Sequence, residues 1–141
     1  MGIPQIASFR MALGATLPTQ KSLDITGRGR ISVDRIQAKL NVFPNALGDL
    51  PTKESIQVVE RIVRMRLALD ANDSRVLTIG DQSVGTFSQL DQGPVPVPLF
   101  ELNGQEQPTV KVNIHPNLFA NPVFALYGGV ELEIVFWGQG V

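Results

Sequence analysis

Residues Asn121–Trp137 read NPVFALYGGVELEIVFW, two apolar runs on either side of Gly128 and Gly129. Two-residue turns that match strand twist need positive φ, which glycine adopts without steric cost, so the pair predicts a β-hairpin. Its register sets Tyr127 opposite Val130, Ala125 opposite Leu132 and Val123 opposite Ile134, and alternation adds Phe136 to the same apolar face. That face belongs in a core. The other face carries Phe124, Leu126, Glu131, Glu133, Val135 and Trp137, a mixture of charge and large apolar surface that points to a contact with a partner.

Further strands are expected upstream. Ile36, Ala38, Leu40 and Val42 alternate with Arg35, Gln37, Lys39 and Asn41, the pattern of a half-buried strand ended by Phe43-Pro44-Asn45. Met65, Leu67 and Leu69 alternate with Arg64, Arg66, Ala68 and Asp70, and a short strand is expected over Arg75–Ile79. Val110, Val112 and Ile114 alternate with Lys111, Asn113 and His115, while Phe100 and Leu102 mark a strand before the turn Asn103-Gly104. Thr52–Glu60 fits both helical and alternating spacing and is read as a strand. In GPVPVPL, residues 93–99, three alternate prolines remove the N–H donors from one lateral side, so the segment is an edge strand or a polyproline-like strap.

Residues 1–30 show no sustained period. Ile6, Phe9 and Leu13 share one face of a short helix, but Gly14, Pro18 and Gly27-Arg28-Gly29-Arg30 break any long element. The segment reads as an N-terminal arm that must lie on its own domain or on a neighbouring subunit, ahead of a sandwich domain over residues 31–141. About eight short strands separated by turn signals, without a long helix, predict an all-β antiparallel sandwich.

At 141 residues the chain is long enough for one self-sufficient core, and it has no cysteine for disulfides or thiolate metal sites. No apolar run is long enough for a membrane span, and the N-terminus lacks the basic start of a secretory signal. The net charge of −1 conceals an asymmetry. Residues 1–66 carry ten basic and five acidic side chains, net +5, and the remainder two and eight, net −6. Opposite charges either meet inside one subunit or join a basic face on one copy to an acidic face on the next.

No catalytic constellation emerges, and no metal or cofactor is expected. His115 is the single histidine, placed before a proline at a strand end, and no serine sits in a nucleophile elbow. Arg28, Arg30, Arg61, Arg64 and Arg66 are the basic-face candidates, but no aromatic residue lies between Phe43 and Phe87 to stack on bases, so direct nucleic-acid contact is not expected.

An arm ahead of a cysteine-free sandwich of short strands with Pro-rich connections resembles the jelly-roll proteins of bacteriophage and other virus particles. The resemblance is one of layout, without a diagnostic motif. It implies a non-enzymatic structural protein of the virion (a capsid, minor capsid, cement or decoration subunit), a homo-oligomer, commonly a trimer, that contacts other shell proteins. The subunit-interface candidates are Ile6, Phe9, Leu13, Phe124, Leu126, Val135 and Trp137. The alternative is a monomeric binding module for carbohydrate or a protein ligand, with Trp137, Tyr127 and the loop Asn117–Asn121 at its site.

Overall fold

In the structure, a computed structural model describing residues 4–22, 29–68, 82–88, 93–103 and 108–140, the C-terminal strand is the second strand of a four-stranded sheet. The elements run β1 (Pro4–Leu13), β2 (Gln20–Ser22), β3 (Arg30–Phe43), α1 (Lys53–Ile62), β4 (Arg64–Ala68), β5 (Gln82–Ser83), β6 (Val95–Asn103), β7 (Thr109–Asn113), α2 (Pro122–Ala125) and β8 (Gly129–Gly140). Single 3₁₀ turns cover Val84–Phe87 and Pro116–Ala120. The first sheet has the order β1-β8-β3-β6 and the second β2-β7-β4-β5.

The pairs β1·β8, β2·β7, β3·β6 and β4·β5 are all antiparallel, as in one long hairpin whose first half runs against its second. Rolling that hairpin adds β3·β8 and β4·β7 and closes two sheets face to face. This is the jelly-roll connectivity, an all-β antiparallel sandwich. Among the described residues there are eight strands, three of them longer than the sequence implied.

Alternation fills the space between the sheets. Ala7, Phe9, Met11 and Leu13 of β1, Ile36, Ala38 and Leu40 of β3, and Val130, Leu132, Ile134 and Phe136 of β8 all point inward and are buried. The second sheet contributes Met65, Leu67, Val110 and Val112. β3 carries a bulge at Asp34, which moves its register against both neighbours and keeps Val33 and Ile36 on the same inner side. β6, the proline-rich segment, is an edge strand, as the missing donors require.

Three expectations are corrected. Pro4–Leu13, read as part of an arm without structure of its own, is a strand paired with β8 through all ten residues. Thr52–Glu60 is not a strand. Lys53–Ile62 is helical, with the Thr52 hydroxyl accepting from Ser55 N at its N-cap and Val59 buried on its inner face. Nor do Gly128 and Gly129 close a hairpin, because Pro122–Ala125 is a helical turn started by Asn121, whose side chain accepts from Val123 N at 3.0 Å, with proline in the first turn. Gly128 instead donates to Phe43 O at 2.9 Å, where a Cβ would collide with Pro44 O, and Gly129 takes φ of 136° as the chain enters β8. Leu69, Arg75–Ile79 and the turn at Gly104 lie outside the described residues.

Candidate functional site

The outer face of the first sheet is divided along β8. Toward its start, Glu133 lies between Arg10 of β1 (Nη2 to Oε2, 3.2 Å) and Lys39 of β3 (Nζ to Oε1, 3.7 Å), and Asn41 Nδ2 donates to Glu133 at 3.1 Å. Arg10 also approaches Glu131 at 3.7 Å, and Arg30 of β3 pairs with Glu101 of β6 at 3.3 Å. Each of these ion pairs joins a base from residues 1–66 to an acid from the remainder. Among the described residues, opposite charges from the two halves therefore meet inside one subunit, because rolling the hairpin interleaves strands from the two halves. Toward its end β8 turns apolar, with Trp137 between Ile6 of β1 and Arg35 of β3, and Val135 between Ser8 and Gln37. Ile6 is half exposed, and the covered Trp137 Nε1 has no acceptor among the described residues.

The interface candidates thus separate. Ile6, Val135 and Trp137 come together on this outer face. Phe9 and Leu13 do not join them, since alternation along β1 spends both side chains in the core. Phe124 packs partly against the core and meets Phe119 edge to face at 5.4 Å, while Leu126 is exposed at the opposite end of β8. Trp137 and Tyr127 are likewise not neighbours, because the eight steps along β8 from Gly129 to Trp137 span roughly 27 Å at strand rise. The paired-aromatic sugar site of the alternative reading is not assembled.

Of the basic candidates, Arg30 is tied to Glu101 on the first sheet. Arg64 and Arg66 project from the outer side of β4, Arg66 across from Lys111, and Arg61 ends α1 against Gly85. Arg28 lies outside the described residues. His115 has a structural role: its Nδ1 accepts from Asn117 N at 3.2 Å and caps the turn Pro116–Ala120. No group of three metal-ligating side chains occurs among the described residues, and no helix there is long and apolar enough to cross a membrane.

Comparison with known proteins adds no relative. No protein-family model matches the sequence, and no match is found among curated proteins or solved structures.

Two features at the loop end of the sandwich escaped sequence reading. The first is a groove between α1 and α2, lined by Leu50, Val58, Pro122, Val123 and Tyr127. Its signals were the caps Thr52-x-x-Ser55 and Asn121-Pro122, which start the two helices that form its walls. The second is Glu60, buried on α1, whose carboxylate accepts from Leu40 N at 2.8 Å and from the Ser88 hydroxyl at 3.0 Å. β6 pairs with β3 only as far as Ile36, so beyond it the Glu60 side chain satisfies a strand donor that β6 does not reach.

Burial pushes the Glu60 carboxyl above its ordinary range, and the Leu40 N–H, the Ser88 hydroxyl and the charge of Lys39 oppose that shift. A folded-state value raised above the unfolded one means that the folded chain binds a proton more tightly. The stability from this group is complete below the ordinary glutamate range and is lost as pH rises through the raised value. Glu60→Gln keeps an acceptor for Leu40 N without the charge. Urea midpoints measured against pH should fall in that window for the natural chain and stay flatter for the variant; equal slopes would assign the titration elsewhere.

Proposed function

We propose that the protein is a non-enzymatic shell subunit, a capsid, minor capsid, cement or decoration protein of a virus-like particle, which works in the virion through contacts between copies, as a trimer, and with other shell proteins. The observation that carries this reading is a jelly roll that leaves large apolar side chains on two separate surfaces. Ile6, Val135 and Trp137 lie on a sheet face, and Leu47, Leu50, Val58 and Leu126 at the loop end. Jelly rolls also serve lectins and cupins. A lectin site wants clustered aromatics, whereas Trp137 and Tyr127 lie at opposite ends of β8. Two apolar surfaces on one small domain suit a subunit with more than one neighbour.

The test is absolute mass by light scattering on a sizing column, over a range of concentrations. A closed oligomer is expected, and a chain that stays monomeric and joins no shell would overturn the reading. Trp137→Ala should weaken association and leave the subunit folded by circular dichroism. Loss of the fold would show that the indole serves its own sheet. Truncating the N-terminal segment is no substitute, since β1 carries Phe9, Met11 and Leu13 into the core.

A further inference from the structure

The loop that follows β3 is fixed more firmly than a connection requires. Asn45 Oδ1 accepts from Leu47 N at 2.9 Å and from Asp49 N at 3.0 Å. Asn45 N donates to Asp49 O at 3.1 Å and Gly48 N to Asn45 O at 2.9 Å, with Gly48 at φ of 81°. Four hydrogen bonds within five residues hold the turn, and what it holds into solvent is Leu47, 86 % exposed. Pre-ordering of this kind lowers the entropy lost when a side chain is immobilised in a contact. A turn needed only to connect β3 to α1 would keep the Asn, Gly and Asp and would not need a leucine at its tip.

At the same end lies a concavity of about 380 Å³ between α1 and α2, larger than one leucine side chain, whose lining is mainly apolar (Leu50, Val58 and Val123 among it) with Thr52, Ser55 and Asn121 as its polar members. Leu47 is not among its lining residues, so this protruding side chain does not fill the groove of its own chain. Phe43 and Leu126 are also exposed at this end. With Leu47, Leu50 and Val58 they expose on the order of 500 Å² of residue surface at one end of the domain, a major part of the roughly 800 Å² that each partner gives to a standard interface. Charge is nearly absent from these loops. Asp49 is the one acid or base in residues 43–51, and His115 the one in residues 114–126. Such a surface offers little to a polyanion or a strongly charged protein. Its complement is another apolar surface with a protruding side chain, and the same chain carries one.

We infer that copies of this chain associate through their loop ends, with Leu47 of one copy seated in the α1–α2 groove of the next. The inference rests on the shell-subunit reading and names the surface that serves it. Leu47 and the groove lie at the same end of the chain, so two copies can make the contact reciprocally about a two-fold axis, whereas a one-way contact closes into a ring when the rotation between copies allows it.

The absence of cysteine makes the contact directly testable. Leu47→Cys and Val58→Cys chains are prepared separately, mixed, and oxidised with oxidised glutathione. The mixture is expected to give a disulfide-linked dimer at least tenfold above either variant alone. No dimer in the mixture, or as much from Leu47→Cys alone, would overturn the inference. Leu47→Asp, exposed and therefore harmless to folding, should convert the assembly to monomer with an unchanged melting curve. If the natural chain is an oligomer and Leu47→Asp keeps it so, the loop-end contact falls while the shell reading stands. If the natural chain is a monomer that joins no shell and forms no cross-link, both fall. A monomer whose groove takes up an apolar dye would also overturn the inference and point to a small apolar ligand.

Discussion

Leu132→Ala and Ile134→Ala should each cost on the order of 2 to 5 kcal/mol, enough to unfold a domain of ordinary stability. Both side chains are buried in the inner face of β8, and β8 is held on both sides, by β1 and by β3. Leu132 lies in register with Met11 on one side and Leu40 on the other, and Ile134 with Phe9 and Ala38. A cavity there is walled by strands hydrogen-bonded into a ladder, which leaves little room for collapse, so losses toward the upper part of that range are expected. Urea unfolding followed by circular dichroism reads the effect. A loss under about 1 kcal/mol would mean that the inner face repacks as a loose cluster.

Much of this arrangement can be read from sequence because the period of a strand is short and strict. β3 alternates large apolar residues with Arg35, Gln37, Lys39 and Asn41, and Ile36, Ala38 and Leu40 are buried as that pattern demands. β1 was harder to read. Its inward residues Ala7, Phe9, Met11 and Leu13 alternate cleanly, but Ile6 and Ala12 on the outer side are apolar too. The contrast between faces is lost, and the spacing of Ile6, Phe9 and Leu13 imitates a helix. Pro122–Ala125 was masked by composition, since an apolar run before two glycines looks like half of a hairpin. The cap formed by Asn121 and the proline after it was the better guide. The loop-end groove needs both α1 and α2, about 60 residues apart in the chain, so no local pattern describes it.

Strands from the two halves of the chain are knit together, and that explains why the ion pairs among the described residues join the basic part of the sequence to the acidic part. Arg10 and Lys39 flank Glu133 because β1 and β3 flank β8, an order that only the rolled hairpin produces. These side chains are partly exposed, and exposed ion pairs contribute about 0 to 1 kcal/mol each. Their value is in register, since a one-residue slip of β8 would carry Glu133 toward the apolar core.

Gly138→Ala is the second substitution expected to act strongly, and it does so without opening a cavity. Gly138 sits opposite Val33, beside the Asp34 bulge that displaces β3 relative to β8. A Cβ built at Gly138 would lie 2.7 Å from Ser32 C and 2.9 Å from Val33 Cα, and closer still to Ser32 O. All three are backbone atoms, so no side-chain rotation relieves the contact. Either β8 parts from β3 or the bulge moves. Losing the bulge altogether would reverse the inward and outward sides of the strand on one side of it, exposing either Ile31 and Val33 or the row from Ile36 onward. The expected cost is about 3 kcal/mol or more, at the upper end for an overpacked site, and Gly138→Val should cost more than alanine. An unchanged urea midpoint for Gly138→Ala would show that the last turn of the ladder opens at no cost. In that case the cross-strand row Ile6–Trp137–Arg35 beside it would be held by something other than the β3–β8 register.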